Sequence, residues 1–233
     1  MEENKRKKLL NIFKLNRAIW LLTVSDIFTW GLYLPLTALT GLYLAQLLNE
    51  DTVSMVAVGF GIYYFVRSAT QIPIGILVDK IGRDRDDILI LMAGNILMGM
   101  AFFFYPSIQS AGTFFVLQFF LGLGASMNLV TWRKLFAKNL DLNKEGTSYA
   151  VYDTILSASV SVFSLIIGFI ANIGPAYFNF IVILVGILIM SSAIWPIMIL
   201  FVNNRNSKEI VEDNIENIDS ENSEDRIEIP DKK

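Results

Sequence analysis

An all-α membrane protein with six spanning helices is predicted by three features of this sequence: its long charge-poor runs, the short charged segments between them, and the side on which its lysines and arginines fall. Of the 233 residues, 54% are hydrophobic and 18% charged, against about 45–50% and 25% in soluble domains. The shortage of charge is local rather than spread, as in chains that cross a bilayer repeatedly. Six runs reach the ~20 residues that a hydrocarbon core requires: roughly 18–48, 53–77, 87–107, 113–136, 148–172 and 176–202. Each is expected to be helical, because lipid offers no partner for backbone N–H and C=O groups.

The elements follow in chain order. Segment 1–17 is basic, with Lys5, Arg6, Lys7, Lys8, Lys14 and Arg17. The apolar stretch after it is too long for a signal-peptide core and has no small-residue cleavage site, so it reads as an uncleaved first span. The 1–2, 3–4 and 5–6 connections carry no basic residue. The 2–3 connection has Lys80, Arg83 and Arg85, the 4–5 connection Arg133, Lys134, Lys138 and Lys144, and the tail five more. Eighteen of the nineteen basic residues therefore fall on one side, which predicts cytoplasmic termini and a multi-pass protein of the cell membrane. Residues 18–203 form the transmembrane domain. The tail, 204–233, is acidic and free of aromatic residues, and is expected to be disordered.

Composition excludes several chemistries. There is no cysteine and no histidine, hence no disulfide, thiolate nucleophile, imidazole base or Cys/His metal site. No metal, cofactor or enzymatic activity is expected. The net charge of −3 hides a segregation: from residue 203 onward there are five basic and ten acidic residues. No basic face with interleaved aromatics points to nucleic acid. No Walker motif is present, so ATP is not the direct energy source.

Polar residues inside spans are costly and usually face protein or water. Helix 1 carries Asp26, Thr29, Trp30, Tyr33, Thr37 and Thr40 at steps of three or four, which is one helical face. Helix 2 carries Tyr63, Tyr64, Arg67 and Gln71, helix 4 Gln118, Asn128, Thr131 and Trp132, and helix 5 Asp153 with Thr154 and several serines. Helices 3 and 6 are plainer. Helices 1, 2, 4 and 5 are thus expected to line an internal face and helices 3 and 6 to meet lipid. The candidate cavity residues are Asp26, Trp30, Tyr33, Tyr63, Arg67, Gln118 and Asn128. Asp26 and Arg67 lie at matching depths and are expected to form an ion pair.

The most specific pattern is Gly75-Ile76-Leu77-Val78-Asp79-Lys80-Ile81-Gly82-Arg83-Asp84-Arg85. Gly75 is expected to permit close helix contact and Gly82 a tight turn. Asp79 suits a helix N-terminus, where the dipole favours an anion. Lys80, Arg83 and Arg85 hold the loop on the basic side, where the arginines are free to pair with acids. This segment resembles the signature loop of the major facilitator superfamily, departing from it at Asp84, where the family usually has a base. Gln71-Ile72-Pro73 is similar to that family's second helix and Gly122-Leu123-Gly124-Ala125 to its fourth-helix motif. The fourth-helix arginine implicated in proton coupling is Gln118 here, and Gly174-Pro175 lies in an outer loop rather than in helix 5.

The resemblance covers 18–203 and implies a six-helix half made of two inverted three-helix repeats, with the 75–85 segment as the gating-loop motif. It also implies secondary transport of a small solute by alternating access. Such transporters hold solute between two halves, so a second six-helix half is expected, from a second copy of the chain or a separately encoded partner. In the family the motif aspartate packs near the start of the fifth helix of the opposite half, which is Thr147 or Ser148 here, both read as N-cap residues. The alternatives are a non-transporting membrane adaptor or regulator and an inactive truncated half-transporter.

Overall fold

A computed structural model describes residues 16–48, 52–81, 83–140 and 143–201. The expectations for the basic N-terminus before Asn16, for Gly82 and for the acidic tail lie outside these residues. The helices are α1 Arg17–Leu48, α2 Thr52–Ile81, α3 Asp84–Phe103, α4 Ala111–Lys138, α5 Glu145–Ala171 and α6 Pro175–Ser191, with a 3-10 turn at Tyr105–Ser107 after α3. The chain turns helical again after α6, so that the sixth apolar segment runs Pro175–Phe201, and all six are long and apolar enough to cross a membrane. Arg17, Lys80, Lys134 and Lys138 share one end of the bundle, its basic end.

The packing order explains the fold. α2 and α3 both lie against α4, α5 and α6 both lie against α1, and α3 meets α6. Exchanging α1–α3 with α4–α6 preserves every one of these pairs, and α1 and α4 run in opposite directions. This is the expected pair of inverted three-helix repeats.

Apolar side chains cannot drive helices together in lipid, which is as apolar as they are; close backbone approach and interhelical hydrogen bonds do so instead. Both devices are present. A Cβ on Gly94 of α3 would stand 2.7 Å from Asn128 N and 2.8 Å from Gly124 O of α4. One on Gly99 would stand 2.5 Å from Gly186 O of α6, and one on Gly122 of α4 would stand 2.6 Å from Tyr63 O of α2. The glycine expected to serve this purpose does not: a Cβ on Gly75 meets only Val130 Cγ1, at 3.8 Å.

The second device is a buried polar network joining four helices. Asn95 Nδ2 of α3 donates to Ser192 Oγ (2.9 Å) and to Ser25 Oγ (3.3 Å). Asn128 Nδ2 of α4 donates to Asn95 Oδ1 (2.6 Å), and Trp30 Nε1 of α1 donates to Asn128 Oδ1 (2.8 Å). Ser192 Oγ lies 2.7 Å from Thr29 Oγ1. Pro196 has no N–H to offer the carbonyl four residues before it, and that carbonyl, Ser192 O, accepts from Trp195 N at 3.3 Å and from Ser25 Oγ at 3.2 Å.

These contacts add an inward role to the two helices expected to meet lipid. In the most apolar stretch of each segment, 50% of residues are buried in α3 and 44% in the sixth, against 17% in α2 and 6% in α5. Asn95 and Ser192, the polar residues of the two plainer helices, point inward and close the bundle. α3 and α6 leave only an outer apolar face, including Ile96, Met100 and Ile187, uncovered. The helices that one six-helix unit leaves largely uncovered are α2 and α5.

Candidate functional site

Five of the seven candidate cavity residues form one continuous path. Trp30 and Tyr33 of α1 meet edge to face at 5.1 Å, and Tyr33 stacks on Tyr63 of α2 at 6.0 Å. Trp30 is tied to Asn128, as above, and Arg67 Nη1 lies 3.5 Å from the Tyr63 hydroxyl, four residues before it on the same helix. Trp30, Tyr33, Tyr63 and Asn128 are buried, whereas Arg67 is half-buried and its neighbour Tyr64 exposed. The path therefore runs from the polar network outward to the uncovered face of α2, and only its Arg67 end is open.

Gln118 stands apart. It is buried, and its Nε2 donates to the Tyr105 hydroxyl at 2.9 Å, toward the end opposite the basic one. Its Oε1 has no hydrogen-bond partner.

Asp26 does not pair with Arg67. Its Oδ2 accepts from the Tyr152 hydroxyl of α5 at 2.7 Å, and its Oδ1, fully buried, has no partner. Asp26 stands nine residues from the basic end of its helix and Arg67 fourteen from that of its own, and Asp26 faces α5 while Arg67 sits on α2. Tyr152 was not among the residues singled out in the sequence. Tyr152→Phe removes the one donor that Asp26 has. It is expected to lower stability by about 1–3 kcal/mol, read as a lower thermal-unfolding midpoint, and Asp26→Asn, which keeps an acceptor for Tyr152, by less.

At the basic end, α2 runs through the signature segment to Ile81 and α3 begins at Asp84, so the connection is only two residues long. Asp79, Lys80, Arg83 and Arg85 are exposed, and among the described residues none of the four makes an ion pair. The ion pairs come from the acids that follow. Asp84, the residue where the resemblance fails, pairs with Lys138 at the end of α4. Asp87, 1% exposed, pairs with Lys134 at 3.0 Å, and the same Nζ donates to Val78 O at 2.7 Å. Val78 O is one of the last four carbonyls of α2, which lack intrahelical donors. Acids in the first turn of α3 and lysines in the last turns of α4 also suit the two helix dipoles. One ammonium thus fastens three helix ends.

Thr147 and Ser148 are not N-caps. α5 begins at Glu145 after Lys144, and Ser148 is fully buried while Thr147 is exposed.

Two apolar concavities lie away from all of this. One, of about 520 Å³, is lined by Ile170, Ile173, Ala176, Tyr177 and Phe180. The other, of about 200 Å³, lies between α3 and α4 around Leu97, Met100 and Val116. No candidate residue lines either.

A family model described as Major Facilitator Superfamily matches residues 5–217. No curated protein and no solved structure matches the chain.

Proposed function

Because the chain belongs to the major facilitator superfamily, a family of secondary transporters, we propose that it moves a small solute across the cell membrane by alternating access, with its basic end in the cytoplasm and a second six-helix unit against α2 and α5. The observation that carries this reading is the uncovered state of those two flanking helices. They bear Arg67 on one side and Ser157, Ser161 and Ser164 on the other, all in mid-span. Polar groups of this kind are costly against lipid and ordinary against a wet cavity.

The second unit is a second copy of this chain. α2 and α5 run in opposite directions and begin or end at the same basic level, so a two-fold axis along the membrane normal sets α2 of one copy against α5 of the other. Such an interface is self-complementary. Sliding or rocking one unit against the other would open the space between them alternately to either side. Thr147, exposed at the start of α5, then lies opposite Asp79, whose carboxylate suits a helix N-terminus.

Purified protein in proteoliposomes is expected to take up one member of a radiolabelled panel of small metabolites saturably, and to exchange it against the same solute inside. Removal of residues 204–233 is expected to leave that flux within about twofold, a change of under about 0.5 kcal/mol. An adaptor that works through its tail would show neither saturable flux nor partner binding after the deletion.

A further inference from the structure

We infer that the solute is an organic anion, held at Arg67 through a carboxylate or phosphate group. This rests on the transport reading and names its substrate class. Arg67 stands 15 residues after Thr52 and 14 before Ile81, about 21 Å from either end of α2 at 1.5 Å per residue. That is the depth of the bilayer midplane, where family transporters hold solute.

A guanidinium at this depth is normally neutralised by an acid. Among the described residues none does so. The ion pairs are Asp87 with Lys134 and Asp84 with Lys138, and Asp26 is held by Tyr152 toward α5. Arg67 has only the Tyr63 hydroxyl at 3.5 Å and the ring of Tyr64, 5.8 Å from its Cζ. Both are neutral, and most of its five N–H donors stay open. Those donors form a planar fork that matches carboxylate or phosphate oxygens in pairs. The exposed Tyr64 ring beside it offers an apolar face to the rest of the molecule, which favours an organic anion over an inorganic one. A lipid headgroup does not reach this depth.

The sequence has no cysteine, so Tyr64→Cys places a single thiol beside the guanidinium. In proteoliposomes it is titrated with anionic methanethiosulfonate ethylsulfonate and with its cationic trimethylammonium counterpart. Adding Arg67→Gln is expected to lower the anionic-to-cationic rate ratio roughly tenfold, through loss of one nearby charge in a partly desolvated site. Ser68→Cys, also exposed, gives the same readout where Tyr64→Cys does not fold. A thiol that neither reagent reaches, or a ratio unchanged by Arg67→Gln, would overturn the inference.

A second arm compares benzoate, succinate and phenyl phosphate with benzamide and succinamide in thermal unfolding. An anion is expected to raise the midpoint by about 2–4 °C, its amide not, and Arg67→Gln is expected to lose the rise. Saturable flux of a neutral or cationic solute that survives Arg67→Gln would overturn the anion assignment and leave transport standing. An intact charge preference at the introduced thiol without saturable flux of any solute would overturn transport alone.

Discussion

Gly94→Val and Gly99→Val are each expected to cost at least about 3 kcal/mol and to remove the monodisperse peak in size-exclusion chromatography of the detergent-solubilised protein. The reason is the identity of the atoms that a new side chain would meet. At Gly94 they are Asn128 N and Gly124 O, and at Gly99 they are Gly186 O and Met190 N, all backbone and within 2.8 Å of the added Cβ. A flexible side chain would swing away, but a helix backbone moves only if the whole helix moves. Separating α3 from α4 would also pull Asn95 from Asn128 and open the network that ties them to α1 and α6. Gly75→Ala provides the contrast. Its Cβ lands in ordinary contact with Val130, so stability is expected to change by less than about 0.5 kcal/mol.

Lys134→Met is expected to destabilise by about 3–5 kcal/mol, because it leaves the buried Asp87 carboxylate without its cation. The Asp87→Leu/Lys134→Met double variant is expected to recover more than half of that loss, since an apolar pair replaces the ionic one. Recovery stays incomplete because Val78 O, at the end of α2, still lacks the donor that Lys134 supplied. Lys138→Met, by contrast, is expected to change little: its side chain is 54% exposed, and an exposed pair is screened by water and salt. Thermal unfolding of the three variants and the parent protein in one detergent checks the set. Equal losses at Lys134 and Lys138 would remove the special role given to the buried pair.

The signature segment and its neighbours show where sequence reasoning reached and where it stopped. The spans were legible because charge marks their ends, and the inverted repeat followed from the resemblance. The ends of spans were less so. α2 was expected to finish near residue 77 and runs to Ile81, because Lys134 of a distant helix caps Val78. Depth along a helix is fixed by the rise per residue once its end is known, and with α2 running to Ile81, Arg67 lies fourteen residues from the basic end against nine for Asp26, about 21 and 14 Å. Azimuth is not, since it depends on which neighbour each helix meets, and Asp26 turned out to face Tyr152. Glycines show the same limit. Nothing in the sequence separates Gly75 from Gly94, and the difference lies in what stands opposite. Asn95 and Ser192 were read as minor polar residues on lipid-facing helices, whereas they lie at the centre of the network that closes the bundle.

The account stands or falls on a second copy lying across α2 and α5. Asp79→Cys combined with Thr147→Cys in one chain tests it most directly, because both positions are exposed at the basic end and every other thiol is absent. Oxidation in native membranes is expected to give a covalent band at twice the monomer mass, and reduction to return the monomer. Ile96→Cys with Ile187→Cys, on the outer faces of α3 and α6, is expected to stay monomeric under the same oxidant. Thiols that all react with maleimide yet leave only monomer for the first pair, or cross-link equally in both pairs, would contradict the account.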